Sequence, residues 1–380
     1  MAQAAKQTVA DYRAALQDDP ADWLRLIRSR RIGPATFHRL LAEHGSAAQA
    51  LRVLPEIARA AGVENYEICP MGVVMAELKQ ARVAGATMLR WGDANYPASL
   101  QEISDAPPVL WAQGQVALLA RPMVALVGAR NASSLGLRMA RRLAEGLGAA
   151  GLVVVSGLAR GVDTEAHAAA LATGTVAVQA GGVDHIYPAE NASLAAEILA
   201  SGCRISEQAM ATEPQTRHFP MRNRIISGLS RAVVVVEAAI KSGSLITAEA
   251  ALEQGREVFA VPGHPFDARA AGCNRLIRDG ATLVRGTQDI LEVLRLAPMV
   301  GRAEPVLEVV PEVVTQRRSL RDITALHSQI LARLGPSPVA EDQLIRDLDV
   351  PAAVVTPELV TLELEGRIVR QSGGLLSRVT

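Results

Sequence analysis

The sequence predicts an α/β protein: a doubly wound parallel sheet with helical segments at both ends. Three observations predict it. Between Met123 and about Leu296, short β-branched runs alternate with alanine- and leucine-rich stretches of helical length. Residues from about 10 to 90 instead carry apolar side chains at helical spacing. After Arg321 the order reads helix, helix, helix and a short hairpin.

The first segment, residues 1–90, contains "DWLRLIRSRRIGPATFHRLLAEHGSAAQAL". Its Gly33-Pro34 turn opens a helix in a way similar to half of a helix-hairpin-helix, a unit whose turn amides can hold a phosphate. One such unit is visible, which suits a small helical packing domain.

The middle segment, residues 91–297, carries the runs "MVALVG", "LVVVSG", "TVAVQAG", "RAVVVVEA" and "REVFAVPG". Their hydrophobicity is continuous rather than alternating, as expected of strands buried on both faces. A doubly wound sheet follows, with ligands expected at the carboxyl ends of its strands. The proline-punctuated stretch 298–321 reads as a linker. Residues 322–380 follow the order of a winged helix turning on Gly373-Gly374. Its third helix carries Glu358, Glu363 and Glu365 where a duplex reader would be basic. A protein-contact module fits that charge better.

Composition narrows the function. The 380 residues have a formal net charge of zero, so polyanion binding requires a local patch. Lysine occurs only at Lys6, Lys79 and Lys241, so the basic residues are almost all arginine, whose planar fork suits phosphate. Cys69, Cys203 and Cys273 lie far apart without CxxC spacing, which argues against zinc and a disulfide scaffold. Asp11 and Arg13 interrupt the N-terminus where a signal peptide needs an apolar core, and no run is long enough for a membrane span. A soluble cytoplasmic protein without membrane attachment is expected.

Nearly every middle strand ends in glycine or a small polar residue. "VALVGAR" supplies Gly128 and Arg130. "VVVSGLARGVDTEAH" supplies Ser156, Gly157, Arg160, Gly161, Asp163 and His167. "VQAGGVD" supplies Gly181 and Gly182, and "VVVVEAAIKSGSLITA" supplies Glu237, Lys241, Ser242, Gly243, Ser244 and Thr247. Glycine lets a phosphate approach a strand end, and the following helix offers free N–H groups. Tight βα turns alone would account for part of the pattern. Just before the fourth of these strands stands "HFPMRNRIISGLS", with Arg222, Asn223 and Arg224. The first turn, "GARNASSLG", is not GxGxxG, and no acidic residue ends the second strand to bind a ribose. Neither Ser156 nor Ser206 sits in a GxSxG elbow, and His167 reads as a hydrogen-bonding residue near a helix start rather than a base.

The ordered series "VGARNASSLG", "SGLARGVDTEAHAAAL", "GGVDHIYPAEN", "ISE", "FPMRNRIISGLS", "VVVEAAIKSGSLITAEAALEQGREVFAVPG" and "GCNRLIRDGATLV" resembles the DNA-processing protein A (DprA/Smf) family. The resemblance implies an extended Rossmann-like domain that binds single-stranded DNA, protects incoming strands in natural transformation and loads the RecA recombinase. It also implies a homodimer, with no cofactor. By position, Arg130, Arg222, Asn223 and Arg224 match family residues linked to the DNA pocket. Two places depart from the family pattern. Ala192 stands where a basic residue often follows the asparagine of "YPxEN", and "TGTV" at Gly174-Thr175 lacks a lysine, which leaves Arg160 or Lys241 to compensate. Phe219, Tyr187 and His218 are the few rings placed for base stacking. The competing expectation is a nucleoside monophosphate phosphoribohydrolase, with "KSGSLIT" as its phosphate loop and Glu249 or Glu237 working at the ribose.

Overall fold

The computed structural model describes residues 18–295, 320–334, 339–348, 350–371 and 375–378. The chain divides into two compact units, 1–299 and 300–380. The first opens with four helices, α1 (Pro20–Arg28), α2 (Pro34–His44), α3 (Ala47–Ala60) and α4 (Met71–Val83). Asp19 caps α1 by accepting from the Ala21 N–H at 2.9 Å, and Ser46 caps α3 by accepting from Gln49 at 3.1 Å. The Gly33-Pro34 turn does open a helix, with Pro34 as the first residue of α2.

An antiparallel pair follows, β1 (Thr87–Arg90) and β2 (Val109–Gly114), joined through the short α5 (Ala98–Gln101). The remaining strands are β3 (Met123–Val127), β4 (Val153–Ser156), β5 (Thr175–Val178), β6 (Cys203–Ser206), β7 (Ala232–Val235), β8 (Glu257–Ala260) and β9 (Thr282–Leu283). The helices between and after them are α6 (Ser134–Ala149), α7 (Val162–Ala170), α8 (Ala192–Ser201), α9 (His218–Leu229), α10 (Gly243–Glu253), α11 (Ala271–Arg278) and α12 (Thr287–Val293).

The nine strands run β1-β2-β6-β5-β4-β3-β7-β8-β9, parallel from β6 to β9. The order steps leftward from β3 to β6 and then restarts at β7 on the other side of β3. That reversal is a topological switch point, where a doubly wound sheet leaves a crevice at its carboxyl ends.

Alternate residues of each strand supply the two cores. Met123, Ala125 and Val127 face a cluster with Ile225, Ile226 and Leu229 of α9 and Leu245 of α10. Val124 and Leu126 face the other side, with Leu143 and Leu147 of α6 and Val162 and Ala166 of α7. Burial on both faces explains the unbroken apolar runs. The N-terminal helices share the first of these cores through Trp23, Leu24, Phe37 and Leu40, so they pack directly against the sheet assembly. Four strands of this sheet escape sequence reading: β1, β2, β6 and β9.

The second unit comprises α13 (Leu320–Arg333), β10 (Val339–Ala340), α14 (Glu341–Leu348), α15 (Ala352–Leu364), β11 (Ile368–Gln371) and β12 (Leu375–Arg378). Its strands pair antiparallel in the order β10-β12-β11. Leu326, Ile330, Val355, Leu359 and Leu376 form its core. The acidic residues of α15 have partners within the unit: Glu358 meets His327 at 2.6 Å, and Glu363 meets Arg370 at 3.4 Å. The linker region and the Gly373-Gly374 turn lie outside the described residues, apart from the linker's last two positions at the start of α13. Among the described residues no helix is long and apolar enough to cross a membrane.

Candidate nucleic-acid interface

A groove opens at the switch point between β3 and β7. Its main cavity, about 640 Å³, is lined by the loop after β3, by α9 and by the start of α10. An adjoining cavity of about 280 Å³ continues toward the loop before α8, and Arg130, Ala159, Phe219 and Arg222 border both.

Most of the strand-end residues meet here. Gly128, Arg130, Asp163, Arg222 and Asn223 line the larger cavity, as do Lys241, Ser242, Gly243, Ser244 and Thr247 from the other side. Gly157 and Arg160 line the smaller one. Gly181 borders only a shallow recess beside it. Ser156, Gly161, Gly182 and Arg224 line none of these. Ser156 is buried and donates to the Leu126 carbonyl at 2.7 Å, and a Cβ on Gly182 would meet Asp184 Oδ1 at 2.6 Å. These two shape the strand ends from beneath. Ala192 opens α8 and faces neither cavity.

Arg222 occupies the floor of the groove. It is buried, and its Nη1 donates to the Val178 carbonyl at 2.8 Å while Nε has no partner. The guanidinium passes where a side chain after β4 would sit: a Cβ on Gly157 would meet Arg222 Nη1 at 1.7 Å. Burial pulls Arg222 down to about 10, with Asp163 opposing, so the group stays cationic at neutral pH. Asp163 is also buried, which raises its pKa, and Arg222 acts against that rise. Its Oδ2 accepts from the Gly157 N–H at 3.0 Å and the Ala159 N–H at 3.4 Å, organising the loop after β4.

Arg130 stands on the opposite wall, exposed, with its guanidinium 5.3 Å from the Phe219 ring centre. Phe219 in turn lies 5.8 Å from Tyr187, which is exposed. This places a cation and two rings along one wall, the arrangement that receives a phosphate beside a base. Arg269, which the sequence reading passed over, adds a cation at the far end, paired with Asp267 at 3.0 Å. Arg160 is held loosely by Glu190 at 3.7 Å. Lys241 is exposed beside the first turn of α10. Ser242 caps that helix, bonding Ser244 through both its N–H at 3.4 Å and its hydroxyl at 2.7 Å. The first amides of a helix have no intrahelical acceptor and carry the positive end of its dipole.

Arg224 corrects the sequence expectation. Two residues from Arg222 on a helix, it emerges on nearly the opposite face. Its Nη2 bonds Glu207 at 2.5 Å, its Nε meets Asp105 Oδ2 at 3.2 Å, and its Nη1 donates to the Asp105 carbonyl at 2.7 Å. Arg224 is therefore a half-buried structural arginine, and Arg222 is the one in the groove. His167 also differs from its reading. It sits in the later half of α7, fully buried, with Nε2 accepting from the Leu158 N–H at 3.3 Å and Nδ1 bonded to Thr175 Oγ1 at 2.7 Å.

Fold and groove together define a Rossmann-type protein with a cationic, aromatic-walled groove at its switch point. Residues 87–295 match the family model of DNA recombination-mediator protein A, residues 17–80 its DprA-like N-terminal HHH domain and residues 314–374 the DprA winged helix domain. The chain belongs to the DNA-processing protein A (DprA/Smf) family. It is 47% identical to DNA processing protein DprA of Bacillus subtilis over 56% of this chain and 73% of that one. Protein Smf of Synechocystis is 32% identical over 93% of this chain and 98% of its own. The solved structure of DprA from Streptococcus pneumoniae superposes with a TM-score of 0.54 at 38% identity, covering 69% of this chain and 98% of that one. DprA from Helicobacter pylori, solved to explain its single-stranded DNA binding mode, gives a TM-score of 0.51 at 30% identity, over 55% and 95% of the two chains.

Proposed function

We propose that this protein binds single-stranded DNA in the β3–β7 groove and acts in natural transformation and recombination, protecting the strand and loading the RecA recombinase. The observation that carries the reading is Arg222, a buried cation on the floor of an open groove whose wall pairs Arg130 with Phe219. The single-strand binding mode described for the H. pylori relative supports it. The homodimer, the cytoplasmic location and the absence of a cofactor are part of the same proposal. So is a protein-contact role for the winged helix.

Three observations count against the hydrolase alternative. Glu237 is occupied by Ser133, accepting from its N–H at 3.0 Å and its hydroxyl at 2.5 Å, which fixes the start of α6. Glu249 is exposed on α10 and lines neither cavity. Both ring nitrogens of His167 are already engaged. Incubation with nucleoside monophosphates should therefore release no base.

Fluorescence anisotropy of a labelled oligothymidine across a salt series tests the binding reading. Arg222→Gln is expected to weaken affinity roughly 10- to 100-fold, the loss of a desolvated charged hydrogen bond. Arg130→Ala should cost less, because Arg130 is exposed. Each should lower the slope of log affinity against log salt by about 0.7, the share of one phosphate on a single strand. Unaltered slopes would remove both arginines from the interface.

Gly243 offers a second test. A Cβ there meets nothing within 4 Å, so Gly243→Ala has room in the protein itself. It should raise stability by up to about 1 kcal/mol, since alanine is the better helix residue. The same methyl group projects where a phosphate approaches the α10 amides, so affinity should fall. Higher stability with undiminished affinity would assign this glycine to the turn alone.

A further inference from the structure

The half-buried ion-pair cluster around Arg224 lies outside the groove, yet it contains the glutamate of the "ISE" motif, for which DNA contact gives no role. Glu207 directly follows β6, and its side chain and that of Arg224 are 11% and 12% exposed. Arg224 reaches Glu207 and Asp105 together, while its own carbonyl accepts from Gln254 Nε2 at 3.0 Å. The cluster continues into the N-terminal helices. Arg28 of α1 donates to the Glu207 carbonyl at 3.2 Å and pairs with Glu77 of α4 at 2.9 Å. Glu77 also accepts from Trp111 Nε1 on β2 at 2.8 Å.

We propose that Glu207 and Arg224 are a positioning pair that sets the rotation of α9, and so aims Arg222 and Asn223 into the groove, with Arg28 bracing the pair from the N-terminal helices. The geometry is that of a shared helix. Arg222 and Arg224 project on nearly opposite sides of α9, so clamping one fixes the other. Arg222 has little freedom to adapt, because the guanidinium lies in the space left by Gly157 and is tied to Val178. A small roll of α9 removes it from both partners. The proposal rests on the single-stranded DNA reading above, but its test separates the two.

Glu207→Gln, close to isosteric, gives opposite signs for opposite roles. If Glu207 acts only through its charge, removing a carboxylate from the neighbourhood of a polyanion site tightens DNA binding. If it positions α9, binding weakens, by roughly fivefold or more given the usual size of coupling between residues in one network. The double variant Glu207→Gln/Arg224→Gln should then bind no worse than Arg224→Gln alone. Amide hydrogen exchange across residues 218–229 should quicken in each variant. Arg28→Gln, altered far from the groove, should shift affinity and exchange in the same direction, and it serves in place of Glu207→Gln if that variant does not fold. Tighter or unchanged binding with unchanged α9 exchange overturns the positioning pair. A wild-type protein without affinity for oligothymidine overturns the DNA reading instead, and the exchange measurement then decides the brace by itself.

Discussion

Gly161→Ala is expected to lower stability by roughly 2–6 kcal/mol and to weaken DNA binding with it. Gly161 has φ +77° and ψ −123°, a region that side-chain-bearing residues avoid at a cost of about 1–3 kcal/mol. The added methyl group would meet the Ala129 carbonyl oxygen at 2.3 Å and that of Arg130 at 2.6 Å. Both are backbone atoms, so no side-chain rotation relieves the contact, and overpacking of this kind adds about 1–3 kcal/mol. The Val162 N–H bonds the same Ala129 carbonyl at 3.2 Å, so the two strand-end loops are clasped at this point. Forcing them apart moves Arg130, whose carbonyl is one of the two obstructing groups. Urea unfolding beside anisotropy on one preparation checks both halves. Native-like stability would mean that the loops part easily, and that Gly161 is dispensable to the site.

The contrast between Gly161 and Gly243 shows what could be read from the sequence and what could not. Both follow a strand, and the residue pattern alone presents them as equals. Only the backbone shows that one is wedged between carbonyls while the other stands open at a helix start. The parallel strands β3, β4, β5, β7 and β8 were legible because each is buried on both faces. Strand β6 was not, because Arg204 interrupts it. Its cation is accommodated by a 2.6 Å bond to Gln113 on β2, ninety-one positions earlier in the chain, and no local pattern announces such a partner. The "RNR" triplet failed for a related reason. Adjacency in sequence suggested a joint role, but a helix sends Arg222 and Arg224 to different faces, and Arg224 finds Glu207 through tertiary contact alone. Ligands are expected from the sequence at the strands' carboxyl ends, and most of the residues named there line the groove; that the groove lies at a switch point follows only from the strand order of the structure.

His167 carries the strongest expected pH dependence. Thr175 Oγ1 donates to the Val154 carbonyl at 2.9 Å, so the hydroxyl is free to accept from His167 Nδ1–H. The Leu158 N–H donates to Nε2, which must then be unprotonated. A second ring proton would point one donor at another inside a dry core. Burial accordingly drives the His167 pKa down to about 3, and the charge of Arg222 adds to the drop. An unfolded histidine titrates near 6.5, so between those values the unfolded chain binds the extra proton and stability falls as the pH falls. The contribution is complete above pH 6.5 and is lost progressively toward pH 3, about 5 kcal/mol in all from a difference of 6.5 against about 3. Burial also lowers His38 and His218, which act in the same direction, while Asp163 and Glu207, raised by burial, oppose it. His167→Gln isolates the one ring. The variant should be less stable than wild type at pH 7.5, and its urea midpoint should change far less between pH 6.5 and 5, where wild type should lose about 2 kcal/mol through this group. Equal pH dependence in the two proteins would mean that His167 accepts a proton in the folded state, against the hydrogen bonds its two ring nitrogens make.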